Sequence, residues 1–128
     1  MNWLDSISSS LLNKSLDGLW TRQKAISDNI ANFETPGYKT KSVSFEDQLL
    51  AQLQNAAGSQ TGEIENIDQV TPDITEAQDE TYRADGNGVD LEQQNIEMAR
   101  TSLNYSYALQ EMNDNFSRLK TAITGTSK

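Results

Sequence analysis

The sequence predicts a mainly α-helical fold. Long N- and C-terminal helices pair as a coiled coil, with a short third helix and an extended or irregular acidic segment between them. Three observations predict it. Apolar residues recur at alternating gaps of four and three near both ends of the 128-residue chain, which is the spacing of a coiled-coil seam. Pro36-Gly37 and Gly86-Asn87-Gly88 punctuate the chain at the inner ends of those two stretches. The formal charge of −9 is confined to the middle, because residues 43–82 hold nine acids and no Lys or Arg while the remainder carries ten charges of each sign. The resulting division is 1–33, an N-terminal coiled-coil helix; 34–88, a central turn, short helix and acidic extended segment; and 89–128, a C-terminal coiled-coil helix.

The C-terminal seam is the clearest. It steps through Leu91, Asn95, Met98, Ser102, Tyr105, Leu109, Met112, Phe116, Leu119 and Ile123, and only Asn95 and Ser102 are polar. Asp90 is placed to cap this helix, with Gln93 three residues on, and Gly125 to stop it. Just before it, Asp85-Gly86-Asn87-Gly88 favours turns with positive φ.

The N-terminal helix is expected over residues 3–32, capped by Asp5 or Asn2. Its seam runs through Leu12, Leu16, Leu19, Gln23, Ile26 and Ile30. Gly18 inside it reads either as a weak spot costing ~1 kcal/mol relative to Ala or as a place of close helix–helix approach. Pro36 disfavours helix at Thr35, so the helix should stop near Asn32 or Phe33. Thr35-Pro36-Gly37-Tyr38 has Pro and Gly at the central positions of a type II turn.

A shorter helix follows, with Ser44 as its cap, Glu46 and Asp47 in its first turn, and Phe45, Leu49 and Leu53 on one face. It should end near Ala56-Ala57-Gly58. Residues 58–82 lack a period: Ile64, Ile67, Val70 and Ile74 stand isolated among acids, amides and threonines. That composition predicts disorder in the free chain, with short extended pieces gained on assembly.

Function classes fall away by composition. Without Cys or His there are no disulfides, no thiolate or imidazole metal sites and no Ser-His-Asp or Cys-His nucleophile. No catalytic, cofactor or metal site is therefore expected, and no small-molecule substrate. The clustered acids read as solvated, with nothing nearby to raise one carboxyl pKa. The Gly86-Asn87-Gly88-Val89-Asp90 run resembles one calcium β-helix repeat, but a turn plus helix cap accounts for the same residues. Nucleic acid lacks a basic patch to meet its phosphates. No stretch is long and apolar enough to span a bilayer, and residues 1–14 lack the pattern of a cleavable secretory signal. A hairpin of the two terminal helices alone would be marginal, so their faces call for neighbouring subunits.

Two motifs resemble a known family. Ser27-Asp28-Asn29-Ile30-Ala31-Asn32-Phe33-Glu34-Thr35-Pro36-Gly37-Tyr38 is similar to the N-terminal signature of the bacterial flagellar rod and hook axial proteins, and Asp85-Gly86-Asn87-Gly88-Val89-Asp90 to a motif of their short proximal-rod members. Phe33, Gln94 and Thr101 depart from the family pattern, which more often has a small or acidic residue, Glu and Asn there. The resemblance implies a non-catalytic subunit of the basal-body rod, in the periplasmic space, exported by the flagellar type III apparatus without a cleaved signal. It implies helical self-assembly through the terminal helices. The implied partners are further copies, other rod proteins, the adapter joining rod to membrane ring, and the export gate. Asn29, Ile30, Ala31, Asn32, Thr35, Pro36, Gly37 and Tyr38 would form the assembly motif. A cytoplasmic coiled-coil adaptor or export chaperone is the alternative that the same helices allow.

Overall fold

In the computed structural model, which describes residues 3–58, 65–78 and 81–125, two long helices lie side by side with a small sheet and two short helices packed on one of them. The order is α1 (Trp3–Ala31), β1 (Lys41–Ser44), α2 (Glu46–Gly58), α3 (Glu65–Asp68), β2 (Asp73–Glu76) and α4 (Leu91–Thr124). Helix α4 has 34 residues, a length of about 50 Å. The long helices are antiparallel. Asn29 bonds Gln94 near one end and Asn115 bonds Ser8 near the other, and the two points are separated by 21 positions on α1 and by 21 on α4.

Local chemistry sets the helix ends. Asp90 is extended (φ −91°, ψ 104°) and its carboxylate accepts from Gln93 N, which caps α4. Gly125 is left-handed (φ 63°) and its N–H donates to Thr121 O at the other end. α1 already begins at Trp3, so Asp5 lies inside its first turn and is not its cap; Asn2 lies outside the described residues. After α1, Gly37 has φ 71° and Tyr38 N donates to Thr35 O at 3.3 Å, the bond and the positive φ of a type II turn.

The middle of the chain is more structured than its composition implies. β1 and β2 pair antiparallel, Lys41 opposite Glu76 and Val43 opposite Ile74. Ile67 is fully buried and Val70 is 6% exposed, both packed in one core with Leu19, Ala25, Val43, Phe45 and Leu49. This corrects the expectation of disorder over 58–82 for its described part; Glu63, Ile64, Asp79 and Glu80 lie outside the described residues. The reason is non-local: α3 is one helical turn, which sets Ile67 and Val70 on one side, and α1 and α2 supply the apolar surface they meet. Ser44 is a second correction. It ends β1 instead of capping α2, and the first bond of α2 runs from Leu49 N to Phe45 O.

Gly18 is neither a tolerated weak spot nor a helix–helix contact. The Phe45 ring lies directly over it, and a Cβ at residue 18 would stand 2.4–2.6 Å from ring carbons. Ala would gain ~1 kcal/mol of helix propensity, but overpacking a filled core costs about 1–3 kcal/mol. Gly18→Ala should therefore lower the urea midpoint of the full chain, and Phe45→Leu in the same chain should recover part of the loss. A more stable Gly18→Ala chain would mean that the ring does not sit there.

Candidate functional site

The surface and junctions that could serve assembly are built around three side chains. Asn29, in the last turns of α1, is fully buried. Its Nδ2 donates to Lys41 O (2.8 Å) and Gln94 Oε1 (2.9 Å), and its Oδ1 accepts from Lys41 N (2.9 Å) and Tyr38 OH (3.2 Å). Two donors and two acceptor sites are all a carboxamide has, so one side chain joins α1, the turn, β1 and α4. Gln94 supplies the needed acceptor oxygen. Burial pushes the Tyr38 hydroxyl above its ordinary 10.0; Lys41 lowers it, while Asp28 and Glu76 raise it further. It therefore remains a protonated donor at neutral pH.

Asn87, also fully buried, joins the two sequence motifs to each other. Its Nδ2 donates to Asn32 O (3.0 Å) and Thr35 O (2.7 Å), and its Oδ1 accepts from Val89 N (2.8 Å). Around it Gly37 N donates to Asp85 O, Gly88 N to Tyr38 O, and Thr40 Oγ1 to Gly88 O. Gly86 lies under Gly37, its φ of 82° in the region that favours glycine. The turn after α1 and the turn before α4 thus form one clasp. Phe33 gains its own partner there: the Arg83 guanidinium stacks 5.0 Å from its ring centre and donates to Phe33 O.

Arg22 is the third. It donates to Val43 O, pairs with both oxygens of Glu46 and covers the Phe45 ring at 4.9 Å. Together Asn29 and Arg22 occupy Lys41 N, Lys41 O and Val43 O, which turn away from β2, and so cover much of that edge of the sheet. Burial pushes the Glu46 carboxyl up, but the Arg22 hydrogen bonds, the N–H groups of Glu46 and Phe45 and the Arg22 charge outweigh it and hold the pKa below the ordinary 4.5.

The sequence-predicted residues divide. Leu19 and Ile26 are buried, and Leu12, Leu16, Ile30, Leu91, Met98, Tyr105 and Met112 half-buried. Leu109, Phe116, Leu119 and Ile123 are 40–77% exposed. The buried and half-buried stripe of α4 runs instead through Leu91, Gln94, Met98, Thr101, Tyr105, Ala108, Met112 and Asn115, and shares four residues with the expected seam. A further apolar line, Ile96, Leu103 and Tyr107, is 54–59% exposed; its steps of seven and four place it on the face of α4 turned from α1. Of the signature residues, Asn29 faces inward, while Ala31, Thr35, Pro36 and Gly37 are exposed. Asn32 and Tyr38 are half-buried and Asp85 and Gly86 shape the clasp, with Asn87 and Gly88 buried and Asp90 half-buried beside them.

Sequence reasoning missed Arg22, Gln94 and Phe45 as junction residues. Arg22 carried one available signal, a cation on α1 a few residues from the seam. A groove of about 660 Å³ between the strands and α4 is lined by charges of both signs, Arg22, Lys41 and Arg100 with Glu46, Glu76 and Glu97. Among the described residues no cluster of three acids could hold a metal, and no helix is long and apolar enough to cross a membrane.

These features are those of a small helical protein with polar groups satisfied at its junctions and large apolar residues left exposed along α4. Comparison with known families places it. The family described as flagella basal body rod protein matches residues 19–39, the stretch holding Asn29 and the turn. The chain is 36% identical over 108 residues to the flagellar basal body rod protein FlgB of Bacillus subtilis (strain 168), covering 81% of this chain and 83% of that one. It is 34% identical over 109 residues to FlgB of Aeromonas hydrophila, with the same coverage, and 30% identical over 112 residues to FlgB of Borrelia hermsii, covering 78% and 83%. The chain belongs to the FlgB family of flagellar basal body rod proteins, a family of structural proteins and not of enzymes.

Two outcomes follow from the junctions. Asn29→Ala leaves Lys41 N and O, Tyr38 OH and Gln94 Oε1 short of a partner, and should cost about 2–4 kcal/mol in urea unfolding; a loss below ~0.5 kcal/mol would contradict the hub. Glu46 has a folded pKa below its unfolded one, so its contribution is complete above the unfolded value and fades as pH falls through the folded one. The stability gap between wild type and Glu46→Gln should therefore be constant from neutral pH to about 4.5 and narrow below it. A gap unchanged in acid would remove the ion pair from the account.

Proposed function

We propose that the chain is a structural subunit of the proximal rod of the bacterial flagellar basal body, self-assembling helically through its terminal helices as part of the drive shaft. One observation carries this reading from family to mechanism: α4 keeps seven large apolar side chains, Ile96, Leu103, Tyr107, Leu109, Phe116, Leu119 and Ile123, 40–77% exposed. A chain working alone gains nothing from such a helix. Covering the exposed half of each, at half the ~1.5–3 kcal/mol of full burial, yields ~5–10 kcal/mol. That sum only matches the ~4–15 kcal/mol cost of joining two molecules. A single contact of this kind is weak, and a subunit contacted on several sides by its neighbours is stable, as in a helical array.

In this reading the terminal helices form coiled-coil packing with neighbouring copies and with other rod proteins, in the inner layer of the rod. The acidic middle packs outside. The signature's inward residue, Asn29, sets the angle between α1 and β1, and its exposed residues, Ala31, Thr35, Pro36 and Gly37, meet the next subunit. The seam residues Leu12, Leu16, Leu19, Ile26, Ile30, Leu91, Met98, Tyr105 and Met112 serve the pairing of the two helices, while Leu109, Phe116, Leu119 and Ile123 serve the array. The rod stands in the periplasmic space, which the chain reaches through the flagellar type III export gate without a cleaved signal. The rod-to-ring adapter is its neighbour at the cell-proximal end. No catalysis is involved.

Leu103 and Tyr107 point away from α1, so charging them tests assembly apart from folding. Leu103→Asp with Tyr107→Asp should leave the helicity of the purified chain unchanged, keep export intact, and abolish spreading in soft agar. Wild-type spreading by cells carrying this variant would overturn the reading.

A further inference from the structure

Asn87 is the sole asparagine of the sequence followed by glycine, and its surroundings give that pair a second meaning. We infer that Asn87-Gly88 is a deamidation site masked by the fold, and that its conversion permanently disables the clasp. This chemistry is independent of the rod assignment.

Two atoms must meet for it to occur. In an extended chain, base removes the proton from Gly88 N, and this nitrogen attacks Cγ of the Asn87 carboxamide. The N–Cγ bond forms, the Cγ–Nδ2 bond breaks, and the nitrogen leaves as ammonia with a proton from water. The five-membered succinimide is then opened by water at either carbonyl, giving aspartate or isoaspartate at position 87. No oxidant or cofactor is required. A glycine at 88 offers no side chain to obstruct the approach.

In the folded chain every participant is engaged. Gly88 N donates to Tyr38 O at 3.0 Å, so the nucleophile is occupied. Nδ2 donates to Asn32 O and Thr35 O, and Oδ1 accepts from Val89 N, so the carboxamide cannot rotate toward it. Asn87 is 0% exposed, which keeps out the base and the water. The bonds that shield the amide are also those that fail after conversion. A carboxylate at position 87 would set oxygen acceptors against the carbonyls of Asn32 and Thr35, where two N–H donors stood, with no water to relieve them. Isoaspartate would lengthen the main chain by one carbon and carry Gly88 away from Tyr38 and Thr40.

The clasp therefore records time spent unfolded: a chain that folds promptly keeps its amide, and one held open loses it and cannot close afterward. The consequence for export, where chains wait unfolded, rests on the reading above, but the chemistry does not.

The test is incubation of the full chain at mildly alkaline pH in buffer and in urea, with peptide mass spectrometry at all eleven asparagines. In urea Asn87 should convert faster than any other asparagine, and Gly88→Ala should slow it in that unfolded state, where folding is not at issue. In buffer, conversion at Asn87 should be roughly tenfold or more slower than in urea. An Asn87→Asp chain should show a lower urea midpoint than wild type. Equal rates in buffer and urea, a faster asparagine elsewhere, or a wild-type midpoint for Asn87→Asp would each overturn the inference.

Discussion

One carboxamide holds the molecule's geometry. Asn29 has two donors and two acceptor sites, and all four are taken by groups from the turn, β1 and α4. Because the side chain is fully buried, no water substitutes when a partner moves, and the full cost of an unpaired polar group applies. That stiffness fixes where the chain leaves α1 and how α4 starts alongside it. A purely apolar junction would tolerate rotation and slip between the two helices; a saturated amide does not.

Beside its apolar core, the molecule keeps buried polar side chains at its junctions and large apolar ones exposed on α4. Inside, at the junction of the elements, sit two asparagines, a glutamine and a threonine, all buried. Outside, along α4, sit seven large apolar side chains. Polar bonds are directional and set angles, whereas apolar contact is strong and tolerant of small shifts. A subunit that must hold its own shape while fitting slightly different neighbours benefits from that division. The charge pattern fits too, since the neutral ends can pack side by side without repulsion.

What was legible in the sequence was local. Asp90, Gly125 and the Thr35–Tyr38 turn act within four residues, so their chemistry is written next to the place where it acts. The long helices were legible because one period runs through about thirty residues of each. What was not legible depends on surfaces brought from afar. Ile67 and Val70 look isolated until α1 and α2 cover them, Arg22 looks like a surface cation until it reaches Val43 and Glu46, and Gly18 has no evident purpose until Phe45 lies across it. The C-terminal seam was ambiguous for a related reason. Apolar residues line more than one face of α4, and spacing alone does not say which face meets α1 and which is left for other molecules.

Asn29 holds β1 as firmly as a strand would. The most direct measurement is hydrogen exchange at the Lys41 amide, which donates to Asn29 Oδ1 and to no backbone carbonyl of β2. This amide should exchange as slowly as those in the middle of α1, and Asn29→Ala should return it to the rate of an open chain while α4 stays protected near Tyr105. Rapid exchange at Lys41 in the wild-type chain, with α1 itself protected, would contradict it.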